Sequence, residues 1–227
     1  VADIAAQPGA LPLFQYALTE LFERRRDDHL TVEAYRALGG IEGAVSRRAD
    51  ELYSRLTPEE RSVARQLFLR LVQPGGRDGD HRRRVTSAEI AALEVDPVAL
   101  QHVLDRFVRA RLLSFDRDRI SGAPTLEMAH DALLEAWGRL GSWIEEARDD
   151  LERRATLGSA ITEWRRAAED PGYLLSGARL DDYERWAAST DLHLTSPEQR
   201  YLAASIARRE DEAAAELARE RTEDQLR

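Results

Sequence analysis

Cysteine and lysine are both missing from this chain of 227 residues, and each absence excludes a class of chemistry. Without cysteine there is no disulfide and no cysteine-ligated zinc or iron–sulfur centre. All 33 residues counted as Lys or Arg are arginine, so lysine is missing as well. A phosphate-binding P-loop needs lysine, because its Lys-Ser or Lys-Thr ending reaches the outer phosphates of a nucleotide. The glycine-rich turn at residues 74–79 has no such ending, so we expect no enzymatic activity from this chain alone.

Histidine spacing and hydropathy argue against two further features, a helical metal site and a membrane span. None of the five histidines has a second histidine three to five residues away, the spacing of a helical metal site. They are His29, His81, His102, His130 and His193. The longest stretch without a charge, residues 4–19, contains two prolines and is too short to span a bilayer. No signal-peptide pattern precedes it. We therefore expect a cytoplasmic segment with no bound metal and no membrane span.

The charge balance and the two ends of the chain also inform the expected partners. The formal net charge of −9 opposes general attraction to nucleic acid or to anionic lipid. The chain begins at Val1 instead of methionine and ends in a charged run. We expect it to be a segment of a larger protein.

Hydrophobic periodicity predicts a mainly α fold in three parts. Residues 1–56 read as a helical bundle: one helix from Leu13, a short one that Thr31 caps, and a third over 41–56. Residues 138–227 read as a helical arm that ends in a solvated helix, because the last twenty residues carry few apolar positions. An apolar stripe from Trp143 to Ala168 predicts one long helix in this arm.

The middle part, residues 57–137, has the element order of a winged helix. Thr57-Pro58-Glu59-Glu60 is a capping box that opens the first helix. A polar loop at 74–84 follows, and Val85 is expected to pair in a small sheet. Two helices, from Ser87 and from Asp96-Pro97, precede a β hairpin formed by residues 112–116 and 125–129.

Two short motifs support a family resemblance when they are considered together. Gly9-Ala10-Leu11-Pro12-Leu13 stands at the start of the first helix, and residues 127–134 (EMAHDALL) stand where the hairpin meets the next helix. In this order and at this separation they resemble the C-terminal half of STAND-class signalling NTPases. The first resembles the Gly-x-Pro turn of the helical lid. The second resembles the Met-His-Asp-type motif, here with Ala129 between Met128 and His130.

Longer stretches resemble one bacterial subgroup, the novel STAND NTPase 1 family. The similar stretches are 13–26 (LFQYALTELFERRR), 35–44 (YRALGGIEGA), 65–75 (RQLFLRLVQPG), 130–143 (HDALLEAWGRLGSW) and 173–186 (YLLSGARLDDYERW). Together they cover nearly the whole chain. The resemblance implies that residues 1–56 are the helical lid, 57–137 the winged helix, and 138–227 a helical arm or connector.

The resemblance implies a regulatory role in a larger, AAA-type ATPase. An N-terminal P-loop domain of the same protein would bind ADP or ATP with magnesium, and a C-terminal sensor such as a WD-repeat propeller would follow. Oligomerisation on activation is a further expectation. Carried over to this chain, the turn of Gly9 and Pro12 would pack on the adenine, and His130 would donate a hydrogen bond to phosphate. The chain itself would then hold no cofactor and would close over nucleotide bound elsewhere.

Other interpretations of the same residues stay open. His130 could be an ordinary histidine near a helix start that Asp131 caps, and Gly9–Pro12 a plain helix-start turn. Six arginines could form a DNA-facing surface or could be paired with acidic residues: Arg82, Arg83, Arg84, Arg106, Arg109 and Arg111. The four tryptophans are expected to anchor helix packing. The paired aspartates at 149–150 and 181–182 are expected to be solvated. Two alternative functions follow, a winged-helix DNA-binding regulator and a helical protein–protein interaction scaffold.

Overall fold

The computed structural model describes residues 18–19, 21–22, 25, 29–37, 39–76, 79–119 and 121–225. The fold is mainly helical with small antiparallel sheets, which confirms the predicted fold class. It divides into two compact units, Val1–Ala91 with Val95–Leu151, and Ala92–Glu94 with Glu152–Arg227. The three-part division at residues 56 and 137 stays a prediction.

The first unit opens with helices that the sequence predicts closely. Helices α1, α2 and α3 span Val32–Ala37, Gly40–Ser54 and Pro58–Arg70. The hydroxyl of Thr31 accepts a hydrogen bond from the Ala34 N–H (3.1 Å), which confirms the predicted cap. Gly39 and Gly40 have φ of 73° and 71°, a left-handed conformation that glycine adopts at no steric cost. Of the helix predicted from Leu13, residues 18–19 and 21–22 are described, and they are helical.

Helix α3 begins with the predicted capping box. The Glu60 N–H donates to the Thr57 hydroxyl (3.2 Å), and the Thr57 N–H donates to the Glu60 carboxylate (3.0 Å). Pro58 occupies the first turn, where its missing N–H costs nothing. The helix buries Leu67 and Phe68 completely.

Two small sheets follow helix α3. Strands β1 (Val72–Gln73) and β2 (His81–Arg82) pair antiparallel. Strands β3 (Val85–Thr86), β4 (Leu113–Arg117) and β5 (Pro124–Met128) form an antiparallel sheet in the order β3-β5-β4. Helices α4 (Ser87–Ala91) and α5 (Pro97–Arg109) lie between β3 and β4 in the chain. The hairpin and the pairing of Val85 are as predicted.

The expectation of a plain polar loop at 74–84 is wrong, because β2 lies within it. This strand is two residues long and pairs with a strand of equal length, so neither carries an alternating pattern that sequence inspection could detect.

Two short helices after β5 complete the first unit. They are α6 (Ala132–Ala136) and α7 (Gly138–Glu146), separated by Trp137 in an extended conformation. Trp137 is fully buried and meets Phe68 and Trp143 edge to face, at centroid distances of 5.0 and 5.4 Å. Its indole N–H donates to the Asp50 carboxylate (3.0 Å), which also accepts from Arg139 (3.0 Å). Helix α2 is thereby bonded to the α6–α7 corner.

The second unit has its own aromatic core. Most of helix α8 (Arg148–Arg166) belongs to this unit. It is followed by a 3₁₀ turn (Pro171–Tyr173), α9 (Gly177–Ser189) and α10 (Ser196–Gln225). Trp164 packs against Tyr201 and Tyr183 against Trp186, at centroid distances of 5.3 and 5.7 Å. All four tryptophans of the chain are buried, which confirms their predicted role as packing anchors.

Two predictions for the helical arm have different outcomes. Residues 210–225 are helical and exposed, as expected for a solvated helix. The stripe from Trp143 to Ala168 is not one helix, because α7 ends at Glu146 and Ala147 (φ −104°, ψ 13°) separates it from α8. Trp143 and Ala147 pack in the first unit while Trp164 packs in the second, so the regular spacing spans two separate cores.

The capping box gives a first test. Thr57→Ala removes the acceptor of the Glu60 N–H, and we expect the free energy of unfolding to fall by about 1 kcal/mol. Thr57→Ser keeps the oxygen and serves as the matched control. Urea denaturation followed by circular dichroism measures both, and equal stability of the two variants would contradict the cap.

The indole of Trp137 gives a second test. Trp137→Phe keeps an aromatic ring but removes the donor to Asp50, and we expect a loss of about 1–2 kcal/mol beyond the packing change. Trp164→Phe is the matched control, because the buried Trp164 N–H has no hydrogen-bond partner among the described residues. Chemical denaturation should show the larger loss for Trp137→Phe; equal losses would show that the bond to Asp50 contributes nothing.

Candidate functional site

His130 lies at the junction between strand β5 and helix α6, as its sequence context predicts. The β4–β5 pairing extends past Met128, because the Ala129 N–H donates to the Leu112 carbonyl (2.9 Å). The His130 carbonyl then accepts from the Leu133 N–H (3.2 Å), the first bond of the helical turn. His130 is partly buried between these two bonded segments. Its backbone is therefore held on both sides.

Arg82 contacts this junction on both sides of His130. Its Nη1 donates to the Met128 carbonyl (2.7 Å). Its Nε donates to one carboxylate oxygen of Asp131, and its Nη2 to the other (3.3 Å). One guanidinium thus joins the end of β5 to the residue that follows His130. We call these three contacts the Arg82 clamp.

The strand that carries Arg82 is itself well anchored. Strand β2 pairs with β1, and the Arg83 N–H donates to the Leu71 carbonyl (2.7 Å) just beyond helix α3. The Arg83 side chain bonds both oxygens of Glu89 (2.6 and 3.1 Å). Before the strand, Asp80 accepts two hydrogen bonds from Arg148 (3.2 and 3.1 Å). Arg82 therefore projects from a short segment that is fixed at both ends.

The surroundings of His130 favour its uncharged form. Burial lowers the pKa of His130 below its ordinary value, and the positive charge of Arg82 lowers it further. The Asp131 carboxylate opposes this effect on the pKa but does not reverse it. The lowered pKa favours the neutral imidazole, a form that keeps one ring N–H as a donor.

Asp131 occupies the N-cap position of helix α6, but the alternative interpretation in which its side chain caps the helix is not supported. Its side chain makes no capping hydrogen bond, because its carboxylate bonds Arg82. Helix α6 has only five residues, so its dipole contributes little to the binding of an anion. The chemistry of the junction comes from the side chains of His130, Arg82 and Asp131.

Four of the six arginines considered as a DNA-facing surface, Arg82, Arg83, Arg84 and Arg109, are paired with acidic residues. Arg83 bonds Glu89, and Arg84 bonds Glu127 through Nε and Nη2 (3.2 and 2.9 Å). Arg109 lies 3.8 Å from Asp105, one helical turn away. Arg106 donates to the Arg55 carbonyl (3.2 Å). Arg111 has a left-handed backbone (φ 56°) at the turn before β4. Most of this positive charge is therefore neutralised within the fold.

The paired aspartates lie on two separate helices, α8 and α9. Asp181 bonds Arg209 (3.0 Å) and Asp182 bonds Arg185, while Asp149 and Asp150 lie in the first turn of α8. No group of His, Asp and Glu among the described residues has the geometry to hold a metal ion. Within the same residues, no helix combines the length and the apolar character needed to cross a membrane.

Of the predicted site residues, the structure describes His130, while Gly9 and Pro12 lie outside the described residues. Sequence inspection missed the role of Arg82, which it grouped with its two neighbours as a basic run. Arg82 and Asp131 are 49 positions apart, and no spacing rule pairs residues at that distance. The sequence contained only a general signal for such a contact: all 33 basic residues are arginine, and the 42 acidic residues offer many possible partners.

Comparison with known proteins gives one match. The family model described as Novel STAND NTPase 1 matches residues 1–172, which include the His130 junction and all of the first unit. No curated protein and no solved structure matches the chain. Since the matched region is well over half of the sequence, the chain belongs to the novel STAND NTPase 1 family.

Proposed function

We propose that this chain is the nucleotide-state switch module of a STAND signal-transduction NTPase. It would close over ADP or ATP held by a P-loop domain on its N-terminal side in the same protein, and would itself catalyse no reaction. It would relay its state to a C-terminal sensor or effector domain such as a WD-repeat propeller, and activation could involve oligomerisation. The magnesium and the hydrolysis would belong to the P-loop domain.

The position of His130 is the observation that carries this proposal. In a chain of this family, a neutral, partly buried histidine stands at a strand–helix junction held by hydrogen bonds on both sides. An imidazole N–H in a fixed place is suited to donate to one phosphate oxygen of a bound nucleotide. The absence of lysine supports a division of labour, because the phosphates must be cradled by another domain.

The proposed mechanism is a shift between two domain arrangements. A nucleotide moves such an equilibrium only by the difference between its contacts in the two states. The hydrogen bond from His130 to phosphate would exist in the closed arrangement and be lost in the open one. Retained ADP would then keep the module closed, and exchange or release would free it to signal.

The winged-helix interpretation fits the element order, but DNA binding is disfavoured. Helix α3, strand β3, helices α4 and α5, and the β4–β5 hairpin follow the order of a winged helix, and the sheet order is β3-β5-β4. Affinity for DNA depends on cations that can neutralise phosphates. Here Arg83, Arg84 and Arg109 face acidic side chains, and the net charge is −9. We therefore assign this part to the switch.

The switch role gives a direct test with ADP. In the full-length protein that carries this chain, we expect His130→Ala to speed ADP dissociation about 10- to 100-fold, the effect of losing a hydrogen bond to a charged group. His193→Ala is the matched control, because it likewise removes an imidazole, but one that bonds the backbone carbonyl of Glu94 (2.8 Å) in the second unit. Stopped-flow release of fluorescent ADP measures the dissociation rate of each variant. If both variants released ADP at the wild-type rate, the proposed role of His130 would be overturned.

The charge state of His130 gives a test by pH. Because burial holds the folded-state pKa below the unfolded value, the unfolded chain binds the proton first as the pH falls. The stability that depends on a neutral His130 is thus complete above about pH 6.5, the ordinary pKa of histidine, and is lost progressively below it. His130→Gln removes this titration. Urea midpoints at pH 7.5 and 5.5 should show a smaller loss for the variant, and an equal loss would contradict the lowered pKa.

A further inference from the structure

The Arg82 clamp connects the end of strand β5 to the start of helix α6. Met128 is the last residue of strand β5, and Asp131 directly precedes helix α6. Only Ala129 and His130 lie between them. By bonding both, the guanidinium fixes the length and direction of the two-residue link that carries the imidazole.

We propose that Arg82 is the positioning residue for His130, and that the Arg82 clamp sets how tightly the closed module retains ADP. This inference rests on the proposed function of His130. Arg82 acts through the backbone on either side of the histidine, and Asp131 is the second half of the same device. Opening the clamp would free the link and move the imidazole away from the phosphate.

The chemistry of the clamp requires arginine. A guanidinium presents several N–H groups in a rigid plane, so it can bond two carboxylate oxygens and a carbonyl at once. A lysine ammonium carries the same charge but cannot reproduce this planar geometry. The clamp therefore depends on shape as well as on charge.

The exposure of the pair argues against a role in holding the fold together. The side chain of Asp131 is 71% exposed and that of Arg82 is 29% exposed. Ion pairs as accessible to water as this one contribute little to stability, because solvent screens the charges in both states. The clamp can nevertheless fix a short link, since a displacement of an ångström is enough to misplace a hydrogen-bond donor.

The two neighbouring arginines provide the contrast. Arg83 bonds Glu89, and Arg84 bonds Glu127 and lies 3.6 Å from Asp116. Both therefore bond residues outside the two-residue link: Arg83 bonds one on helix α4, and Arg84 bonds one on strand β5. Arg84→Gln is a matched control, because it removes an arginine with a two-point carboxylate contact in the same stretch of chain and leaves residues 128–131 unaltered.

The experiment measures ADP dissociation from the full-length protein in five forms: wild type, Arg82→Gln, Arg82→Lys, Arg84→Gln and His130→Ala. We expect Arg82→Gln to speed dissociation about tenfold, as for other mutations that act on a site through its support. Arg82→Lys should fall between it and the wild type, and Arg84→Gln should match the wild type. Thermal melting should show Arg82→Gln and Arg84→Gln to be folded and similarly stable.

A pH profile separates positioning from a general loss of structure. Arg82→Gln removes a positive charge near His130, and Asp131→Asn removes a negative one. The pH midpoint of ADP dissociation should therefore move up in the first variant and down in the second. Local unfolding would move both in the same direction. Hydrogen exchange should also rise at residues 129–131 in Arg82→Gln.

The outcomes distinguish the two proposals. If His130→Ala releases ADP faster while Arg82→Gln retains it as the wild type does, the positioning role is overturned and the switch stands. If His130→Ala retains ADP normally, the switch itself is overturned. If Arg84→Gln speeds release as much as Arg82→Gln, the effect is a general loss of charge pairing and the clamp has no specific role.

Discussion

The buried indole of Trp137 is the contact on which the first unit depends. It occupies the corner between helices α6 and α7, with its rings against Phe68 and Trp143 and its N–H on Asp50. Because α6 is only five residues long, Trp137 holds the far end of the segment whose near end carries His130. The candidate site is thus positioned by a core contact at one end and by the Arg82 clamp at the other.

An arginine-only composition shapes the charged surface of this unit. Guanidinium groups bind carboxylates at two points, so consecutive arginines can each engage a separate acidic partner. Arg82, Arg83 and Arg84 do so with Asp131, Glu89 and Glu127, which lie on helix starts and on a strand. Residues 82–84 resemble a basic patch in the sequence, but in the structure each of them forms an ion pair within the chain. The same pairing neutralises the charge of these three arginines within the fold.

The proposed switch needs a site that positions its ligand-binding group precisely and can still release the nucleotide. Strand β5 and helix α6 flank His130 and fix the position of its backbone. The exposed ion pair of Arg82 and Asp131 would allow the nucleotide to be released, because this pair adds little to folding stability and can break without unfolding the unit. In such an arrangement nucleotide retention and fold stability depend on different contacts, so each can change without the other.

Several elements could be predicted from the sequence because their signals are local. The cap of Thr57, the helix start at Asp96 and the β4–β5 hairpin each depend on residues within a few positions. The position of His130 at a strand–helix junction follows from the same local signals. The break at Ala147 was not predictable, because the apolar stripe continues through it and only the separate cores show that it serves two units.

What the sequence determined by itself is the absence of a P-loop, the helical fold class and the family resemblance, since these depend on composition, periodicity and short motifs. What only the tertiary structure decided is which charges meet. Arg82 reaches Asp131 across 49 positions, and Trp137 reaches Asp50 across 87. Such contacts depend on how strands pair and helices pack, and no local propensity encodes them. For that reason His130 could be named from the sequence, while the residues that hold it in place could not.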